Sequence, residues 1–266
     1  MHGQPSGCSL SGVDEMIQIH GHSLNVERYG PGESPAVVLL HHGLGSTKAW
    51  KAQIQPLVEY GYQVIVYDRW GYGASQPRFC FSMPYFAEDL ADLEALLEHL
   101  ALERVSLVGH SDGGTIALYY AAQQLERVSA MVVVAAHIYV EPRMLVGIES
   151  IRQAFEQDER FRLGLRRLHD EKAEQVFWGW YHGWLKPEHL HWDMRPLLEQ
   201  IACPVLVVQG MQDEHATPQH ARDLAQALPH ATLWLVEGVG HMLPQDMPEA
   251  FNRRVIEFLA KHSHRY

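Results

Sequence analysis

The chain has 266 residues, 32 of them acidic and 21 basic, which gives a formal net charge of −11 at pH 7. A content of 47% hydrophobic and 20% charged residues is typical of a globular protein and excludes a disordered one. The acidic balance argues against a nucleic-acid partner, because binding to phosphates requires a basic surface. Cys8, Cys80 and Cys203 form no CxxC pair, so neither a disulfide framework nor a thiolate metal site is supported.

The start of the chain does not resemble a targeting segment. Residues 1–13 are rich in Gly, Ser and Pro and lack the apolar core of a signal peptide. No run reaches the ~18 apolar residues that a membrane span needs. We therefore expect a soluble cytoplasmic protein, monomeric or homodimeric, that has no membrane or nucleic-acid partner.

Apolar runs bounded by turn residues predict the strands of a sheet. Two short alternating segments, 15–21 and 22–29, come first. Continuous apolar runs follow, as expected for strands that are covered on both faces of a parallel sheet. These runs are 36–40, 63–67, 105–108, 130–136, 205–208 and 232–236.

Helical periodicity fills most of the segments between these runs. Residues 84–100 repeat Leu and Phe at spacings of three and four, and Ser82 is a plausible cap for that helix. Strands that alternate with helices of this length predict a doubly wound α/β sheet with right-handed crossovers. The other predicted helices are 49–60, 115–124, 219–227 and 248–261.

The segment 137–200 interrupts the alternation. It has helical periodicity but no strand-like run, and the alternation resumes at Cys203-Pro204. We predict a core domain of residues 1–136 and 201–266, with 137–200 inserted between two strands as a helical cap. Such an insertion would cover the carboxyl ends of the strands, where open α/β sheets bind ligands.

A Gly-x-Ser-x-Gly motif, Gly109-His110-Ser111-Asp112-Gly113, lies between a predicted buried strand and a predicted helix. In that context the serine occupies a sharp turn that lifts its hydroxyl above the sheet, and the flanking glycines avoid clashes. The free N–H groups of the helix point at any oxyanion that develops there. Ser111 is therefore the candidate nucleophile.

A serine hydroxyl needs a base and a group that orients the base. His241 follows the strand 232–236, and Asp213 follows the strand 205–208. Both lie at the carboxyl ends of strands, so they can meet Ser111 at one edge of the sheet. Glu214 is the alternative to Asp213 as the orienting acid.

An oxyanion also needs a second N–H donor, and the segment His42-Gly43-Leu44-Gly45 follows the strand 36–40. Its glycines expose main-chain N–H groups. We predict that the oxyanion hole consists of the backbone N–H groups of Leu44 and Asp112.

Five motifs in this order, HHGLGS, DRWGYGAS, GHSDGG, GMQDE and GVGH, resemble those of the α/β-hydrolase superfamily and span nearly the whole chain. The resemblance implies an eight-stranded, mostly parallel sheet, a helical cap after the sixth strand, and a triad of Ser111, Asp213 and His241. The serine departs from the haloalkane-dehalogenase and epoxide-hydrolase branches, which have aspartate at this position. The Ser-Asp-Gly-Gly motif and residues 137–155 are most similar to biphenyl-hydrolase-like proteins, the valacyclovir-hydrolase group.

For each of the residues beside the triad, the sequence allows two interpretations. Asp112 either stabilises the helix dipole or, as the closer resemblance implies, pairs with a cationic amine of the substrate. His42 either packs the loop beside the site or contacts substrate. Trp178, Trp180 and Trp184 either form the core of a small helical subdomain or wall the substrate site.

The chain has 18 histidines, but none follows a metal-binding spacing. The pair His189 and His191 is weak evidence on its own, so we expect no metal and no cofactor. Four further histidines are expected at the surface or in the tail of the chain: His20, His22, His262 and His264.

Together these features predict a serine hydrolase that cleaves small-molecule carboxylic esters through an acyl-enzyme on Ser111. Three related activities remain open, namely thioester hydrolysis, lactone hydrolysis and carbon–carbon hydrolysis of meta-cleavage diketones. A slow-turnover ligand receptor is the alternative from a different class of protein.

Overall fold

The computed structural model describes residues 12–263, so Cys8, His264 and most of the N-terminal segment lie outside it. Within this range eight strands form one sheet in the order β1-β2-β4-β3-β5-β6-β7-β8. β2 is antiparallel to β1 and β4, and the other neighbours are parallel. The strands are β1 (Val13–Ile19), β2 (His22–Tyr29), β3 (Ala36–Leu40), β4 (Gln63–Tyr67), β5 (Val105–His110), β6 (Val128–Val134), β7 (Val205–Gly210) and β8 (Ala231–Val236).

Helices cover both faces of this sheet, and the predicted α/β-hydrolase fold is confirmed. α1 and α9 pack on one face, and α2 and α3 pack on the other. The α-helices are α1 (Lys51–Tyr60), α2 (Ala87–His99), α3 (Asp112–Gln123), α4 (Pro142–Gln157), α5 (Glu159–His169), α6 (Ala173–Trp184), α7 (Gln219–Ala227), α8 (Leu243–Asp246) and α9 (Pro248–His262).

The strand β3 illustrates why the central strands are continuous apolar runs. Val38 and Leu40 pack into the core on the α2 and α3 face, whereas Val37 and Leu39 pack into the core on the opposite face. All four side chains are fully buried. A strand covered on both faces offers no position for a polar side chain.

Two local predictions are wrong. The first strand ends at Ile19, because His20 and Gly21 have positive φ angles and form the turn into β2. The helix predicted to follow Ser82 begins at Ala87, and its N-terminal flanking residue is Phe86. The hydroxyl of Ser82 does not cap this helix, because it accepts a hydrogen bond from Arg78 Nη2 at 3.3 Å instead.

The segment 137–200 lies between β6 and β7 and is described in full. It contains α4, α5, α6 and short 3-10 helices, and its one extended contact is the bridge between Tyr139 and Asp193. Beside this bridge, Met194 N–H donates to the Ile138 carbonyl at 2.8 Å and Val140 N–H donates to the Trp192 carbonyl at 3.2 Å. These bonds bring the two ends of the segment together at a narrow neck.

The prediction of a surface position for His22 is wrong, although His20 is exposed. The ring of His22 is buried, stacks on Trp70 and contacts Asp92 Oδ2 at 2.8 Å. It lies on β2 against α2, so the polar partner on α2 explains how this histidine is accommodated inside the protein.

A buried charge cluster fixes the loop after β4 against α2. Asp89 on α2 accepts hydrogen bonds from Nη1 of Arg69 at 3.2 Å and from Nη1 of Arg78 at 2.9 Å. Both arginine side chains are only 1% exposed. The guanidinium of Arg69 also lies 4.3 Å from the centroid of the Tyr72 ring. Asp89 therefore compensates two buried positive charges.

We predict that Asp89→Asn lowers the free energy of unfolding by about 3–5 kcal/mol, because it leaves two buried guanidinium groups without their shared carboxylate. Urea denaturation measures the change. Asp193→Asn is the control, since its ion pair with Arg195 is partly exposed, and we expect a loss of at most about 1 kcal/mol. A loss at Asp89 no larger than the loss at Asp193 would contradict the prediction.

Candidate active site

Ser111 occupies the sharp turn between β5 and α3. Its backbone has φ 55° and ψ −120°, a conformation that L side chains rarely adopt. The neighbours must be small. A Cβ on Gly109 would lie 2.3 Å from the Gly113 carbonyl oxygen, and a Cβ on Gly113 would lie 2.2 Å from the Leu40 carbonyl oxygen. The glycines of the motif are therefore required by close backbone packing.

His241 and Asp213 meet at the ends of β8 and β7. Nδ1 of His241 lies 2.9 Å from Oδ2 of Asp213. The same carboxylate accepts bonds from Gln209 Nε2 at 2.8 Å, from His215 N–H at 2.8 Å and from Ala216 N–H at 3.2 Å. Four donors thus surround one buried carboxylate.

Glu214 does not take the place of Asp213. Its Oε2 accepts a hydrogen bond from the backbone N–H of His241 at 3.2 Å, whereas the imidazole contacts Asp213. The structure therefore pairs the ring with Asp213, and Glu214 holds the loop that carries the ring.

The interaction between Asp213 and His241 lowers the pKa of the aspartate and raises the pKa of the histidine. Burial alone would raise the pKa of Asp213, but the charge and hydrogen bonds of its donors hold it well below the usual range. Burial alone would lower the pKa of His241, but the charge of Asp213 and the hydrogen bond to it raise this pKa above its usual value. Because an ionised carboxylate only accepts, Nδ1 of His241 carries the hydrogen and Nε2 is the nitrogen available as a base.

Ser111 and His241 line the same cavity, which has a volume of about 620 Å³. This volume suits a small-molecule ligand. The helices between β6 and β7 supply most of its apolar wall. Representative side chains are Met144, Ile148, Phe161, Leu165 and Trp180.

The loop after β3 enters this cavity at Leu44. Gly45 N–H donates to the His42 carbonyl at 3.0 Å and closes the loop. His169, at the end of α5, accepts from Gly73 N–H at Nδ1, so its Nε2 donates to the Leu44 carbonyl at 3.0 Å. Burial lowers the pKa of His169 to about 4, which keeps this ring neutral. Sequence reasoning missed His169, because its partners are distant in the chain.

The two predicted oxyanion donors both lie at the cavity. Leu44 and Asp112 line it together with Ser111. Within residues 12–263, neither the Leu44 N–H nor the Asp112 N–H has a hydrogen-bond partner. Asp112 is the first residue of α3, so its N–H is one of the free donors at the start of that helix.

Asp112 is buried, so it does more than cap an exposed helix end. Its Oδ2 has no hydrogen-bond donor in the described part of the chain and lies 3.9 Å from Nη2 of Arg69. Burial raises the pKa of Asp112 to about 6, although Arg69 opposes the shift. The cavity wall therefore contains a carboxylate that titrates close to neutral pH.

Three other histidine rings lie close to that of His241. The ring centroids of His215, His110 and His137 lie 4.7, 5.1 and 6.0 Å from that of His241. Burial lowers the pKa of His215 to about 4 and those of His110 and His137 well below the usual value. These neighbours are neutral near pH 7, so His241 is the member of the group that can accept a proton there.

His137 lines the cavity and follows β6 by three residues. Neither of its ring nitrogens has a hydrogen-bond partner among residues 12–263. A buried polar atom at a cavity wall normally has such a partner, so a bound polar group or water is expected there. In the sequence, the position of His137 just after the end of a strand is the one signal that indicates a place at the site.

The predicted substrate-binding side chains divide into two groups. His42, Trp180 and Trp184 line the cavity, together with Asp112. Trp178 does not, and the expectation of a substrate contact there is not supported. Its ring packs against those of Phe155, Phe177, Tyr181 and His182.

No group of three or more His, Cys, Asp or Glu side chains in residues 12–263 is arranged to hold a metal ion. In the same range, no helix combines the length and the apolar character that crossing a membrane requires.

Comparisons with known proteins identify the family of this chain. A model of the alpha/beta hydrolase family matches residues 37–254. Serine hydrolase BPHL of Mus musculus is 31% identical over 248 residues, which cover 91% of this chain and 85% of that protein. The 2-hydroxy-6-oxo-6-phenylhexa-2,4-dienoate hydrolase of Comamonas testosteroni is 28% identical over 256 residues, which cover 86% of this chain and 88% of that protein.

Among solved structures, the enol-lactonase of Burkholderia xenovorans matches with a TM-score of 0.76 and 21% identity, covering 92% of this chain and all of that one. An identity this low shows the fold alone. The family match, the long relatives and the sheet order show that this chain belongs to the alpha/beta hydrolase family and is related to biphenyl-hydrolase-like proteins.

Proposed function

We propose that the protein is a serine hydrolase that cleaves small-molecule carboxylic esters through an acyl-enzyme on Ser111. One observation carries the proposal. Ser111, held on a strained turn, faces the same cavity as His241, whose Nδ1 is fixed by Asp213 at 2.9 Å. A nucleophile, a base and an orienting acid are the parts that acyl transfer requires.

In the first half of the reaction, Ser111 Oγ attacks the ester carbonyl carbon and its proton passes to Nε2 of His241. Asp213 stabilises the imidazolium that results. The tetrahedral intermediate collapses, the alcohol leaves with the proton from His241, and the acyl group remains on Ser111. Water then attacks the acyl-enzyme by the same route, which releases the acid and restores the serine hydroxyl.

The oxyanion is assigned to the N–H groups of Leu44 and Asp112. Support comes from the lack of other partners for these donors in the described residues and from their position at the cavity beside Ser111. The contact of His169 with the Leu44 carbonyl would hold the loop in place during the reaction. Donors that need not reorganise stabilise the developing charge most effectively.

We infer that residues 137–200 act as a cap over the core domain and select apolar substrates. The inference is supported by the apolar side chains that α4, α5 and α6 contribute to the cavity, among them Ile148, Phe161 and Trp180. A cavity lined in this way binds alkyl or aryl groups by removing them from water.

Carbon–carbon hydrolysis is the second candidate, because two relatives, from Comamonas testosteroni and Burkholderia cepacia, are 2-hydroxy-6-oxo-6-phenylhexa-2,4-dienoate hydrolases. Carbon–carbon cleavage develops negative charge on the leaving carbon next to the scissile bond, and the buried carboxylate of Asp112 beside Ser111 disfavours that charge, whereas an ester loses its alcohol with the proton from His241. Ester hydrolysis is therefore favoured. The names of the relatives also agree with a serine nucleophile in this branch of the family.

A fluorophosphonate probe tests the nucleophile, and turnover of p-nitrophenyl acetate tests the reaction. We expect labelling and repeated turnover in the native chain, and loss of both in Ser111→Ala. Labelling that persists in Ser111→Ala would contradict the role of Ser111. Activity on a vinylogous 1,5-diketone but not on the ester would favour the second candidate, and a single slow turnover would favour a ligand receptor.

Asp112 is predicted to favour cationic substrates, because a buried carboxylate without a donor on Oδ2 can pair with an amine. We expect Asp112→Asn to lower kcat/KM for an alanine benzyl ester about 10- to 100-fold, while benzyl propionate changes little. Equal losses on both esters would refute the pairing.

The pH dependence of the same ratio provides an independent test. The pKa of Asp112 is raised to about 6, so the carboxylate is charged above that pH and neutral below it. The preference for the cationic ester should fall as the pH decreases through about 6 and should be independent of pH in Asp112→Asn. Because His241 acts on both esters, its own titration cancels in the ratio.

Gly43→Ala is predicted to displace the oxyanion loop, because the new Cβ would lie 2.3 Å from Nε1 of Trp180 and 2.7 Å from Oδ2 of Asp112. A misplaced donor should lower kcat by about 10- to 100-fold. Gly164→Ala is the matched control, since Gly164 also lines the cavity but has no neighbouring atom within 4 Å of its new Cβ. Similar activity in the two variants would contradict the assignment.

A further inference from the structure

Two arginines of α5 lie at the cavity on the side facing solvent, and the mechanism does not use them. Arg160 and Arg167 both line the cavity, and both are exposed. They are seven residues apart, which is about two helical turns and about 10 Å along the helix axis. Gly164 and Leu168 line the cavity from the same face of α5. The two arginine side chains therefore lie along one edge of the cavity.

Neither Arg160 nor Arg167 has a carboxylate within 4 Å among residues 12–263. The nearby Asp158 instead accepts the backbone N–H of Arg160 at 2.8 Å, as the N-terminal cap of α5. Lys48 adds a further positive charge, because its Nζ donates to the Arg167 carbonyl at 2.8 Å. Of the fifteen arginines in the described chain, seven have a carboxylate partner within 4 Å, namely Arg28, Arg69, Arg78, Arg127, Arg152, Arg166 and Arg195. Arg160 and Arg167 are the two without such a partner that line the cavity together with Ser111.

The side chains of Arg160 and Arg167 have no hydrogen-bond or ion-pair partner in the described chain, and both line the cavity. Planar guanidinium groups bind carboxylates in bidentate geometry, so the edge they form suits an anionic group of a ligand.

The cavity lining carries the opposite charge at Asp112, which is buried, whereas both arginines are exposed. Asp112, beside Ser111, disfavours an anion near the scissile bond, whereas the arginines favour one at the edge that they form. Apolar side chains of α4 and α5, including Ile148, Ile151 and Leu165, also line this cavity. The lining thus suits a ligand with a neutral ester group, an apolar chain and a distal negative charge.

We propose that the enzyme prefers esters whose acyl chain ends in a carboxylate, and that Arg160 and Arg167 bind this carboxylate at their edge of the cavity. The proposal rests on ester hydrolysis at Ser111. Because both guanidinium groups are exposed, the bound carboxylate stays partly hydrated and the gain from each contact is modest. The same exposure makes the preference sensitive to salt.

The test uses p-nitrophenyl monoesters of unbranched dicarboxylic acids with about six to ten carbons, a length suited to a small-molecule cavity. Each is compared with the p-nitrophenyl ester of the monocarboxylic acid of equal length. The variants are Arg160→Gln, Arg167→Gln and the double variant. Arg166→Gln is the matched control, because this exposed arginine of the same helix faces Glu174 at 3.8 Å and does not line the cavity.

We expect the native enzyme to have a higher kcat/KM for the anionic ester at one or more chain lengths. The double variant should lose about 3- to 10-fold of this preference, mainly through KM, and added salt should have a similar effect. Arg166→Gln should retain the preference and should hydrolyse the neutral esters at the native rate.

The proposal is overturned if the ratio of anionic to neutral ester is equal in the native enzyme and the double variant at every chain length. It is also overturned if Arg166→Gln lowers the ratio as much as the double variant does. Hydrolysis of neutral esters without any charge preference would leave the function at Ser111 standing and reject this inference alone. Failure to hydrolyse either ester would reject the proposed function and this inference with it.

Discussion

The close approach of α3 to the end of β3 is the contact on which the site depends. The carbonyl oxygen of Leu40 occupies the space that the side chain of any residue larger than Gly113 would need. This contact brings the first turn of α3 against the loop that carries Leu44, so two backbone N–H groups from distant parts of the chain reach one cavity. The strained φ of Ser111 follows from the same packing, since the chain must reverse between β5 and α3 within a single residue.

Two buried aspartates at this site have opposite electrostatic properties. Asp213 receives four hydrogen-bond donors, and its pKa lies well below the usual range. Asp112 has an oxygen without a donor in the described chain, and burial raises its pKa to about 6. The difference comes from the donors that the surrounding loops supply and not from depth alone. One site thereby holds two buried carboxylates whose pKa values are shifted in opposite directions.

Much of the fold could be predicted from the sequence, because buried strands and glycine turns leave strong local signals. The apolar run of β3 and the motif around Ser111 are examples. The contacts of His137, His169 and His215 left no comparable signal, since each depends on residues that are distant in the chain. Trp178 shows that the sequence does not predict which side chains of an apolar helix face the cavity. α6 is apolar around much of its circumference, so periodicity could not decide which tryptophan faces the cavity.

The two ends of the segment 137–200 lie side by side at its narrow neck. The residues that follow β6 and the residues that lead back to β7 run next to each other, and backbone hydrogen bonds at Ile138 and Val140 join them. Insertions, deletions or exchanges between these points need not disturb the register of the sheet. Two contacts still tie the segment to the site, because Arg143 Nη2 donates to the Asp213 carbonyl at 3.2 Å and His169 Nε2 donates to the Leu44 carbonyl at 3.0 Å. The ligand preference of such a protein can therefore diverge through evolution within this segment, provided that these supports of the catalytic loops are kept or replaced.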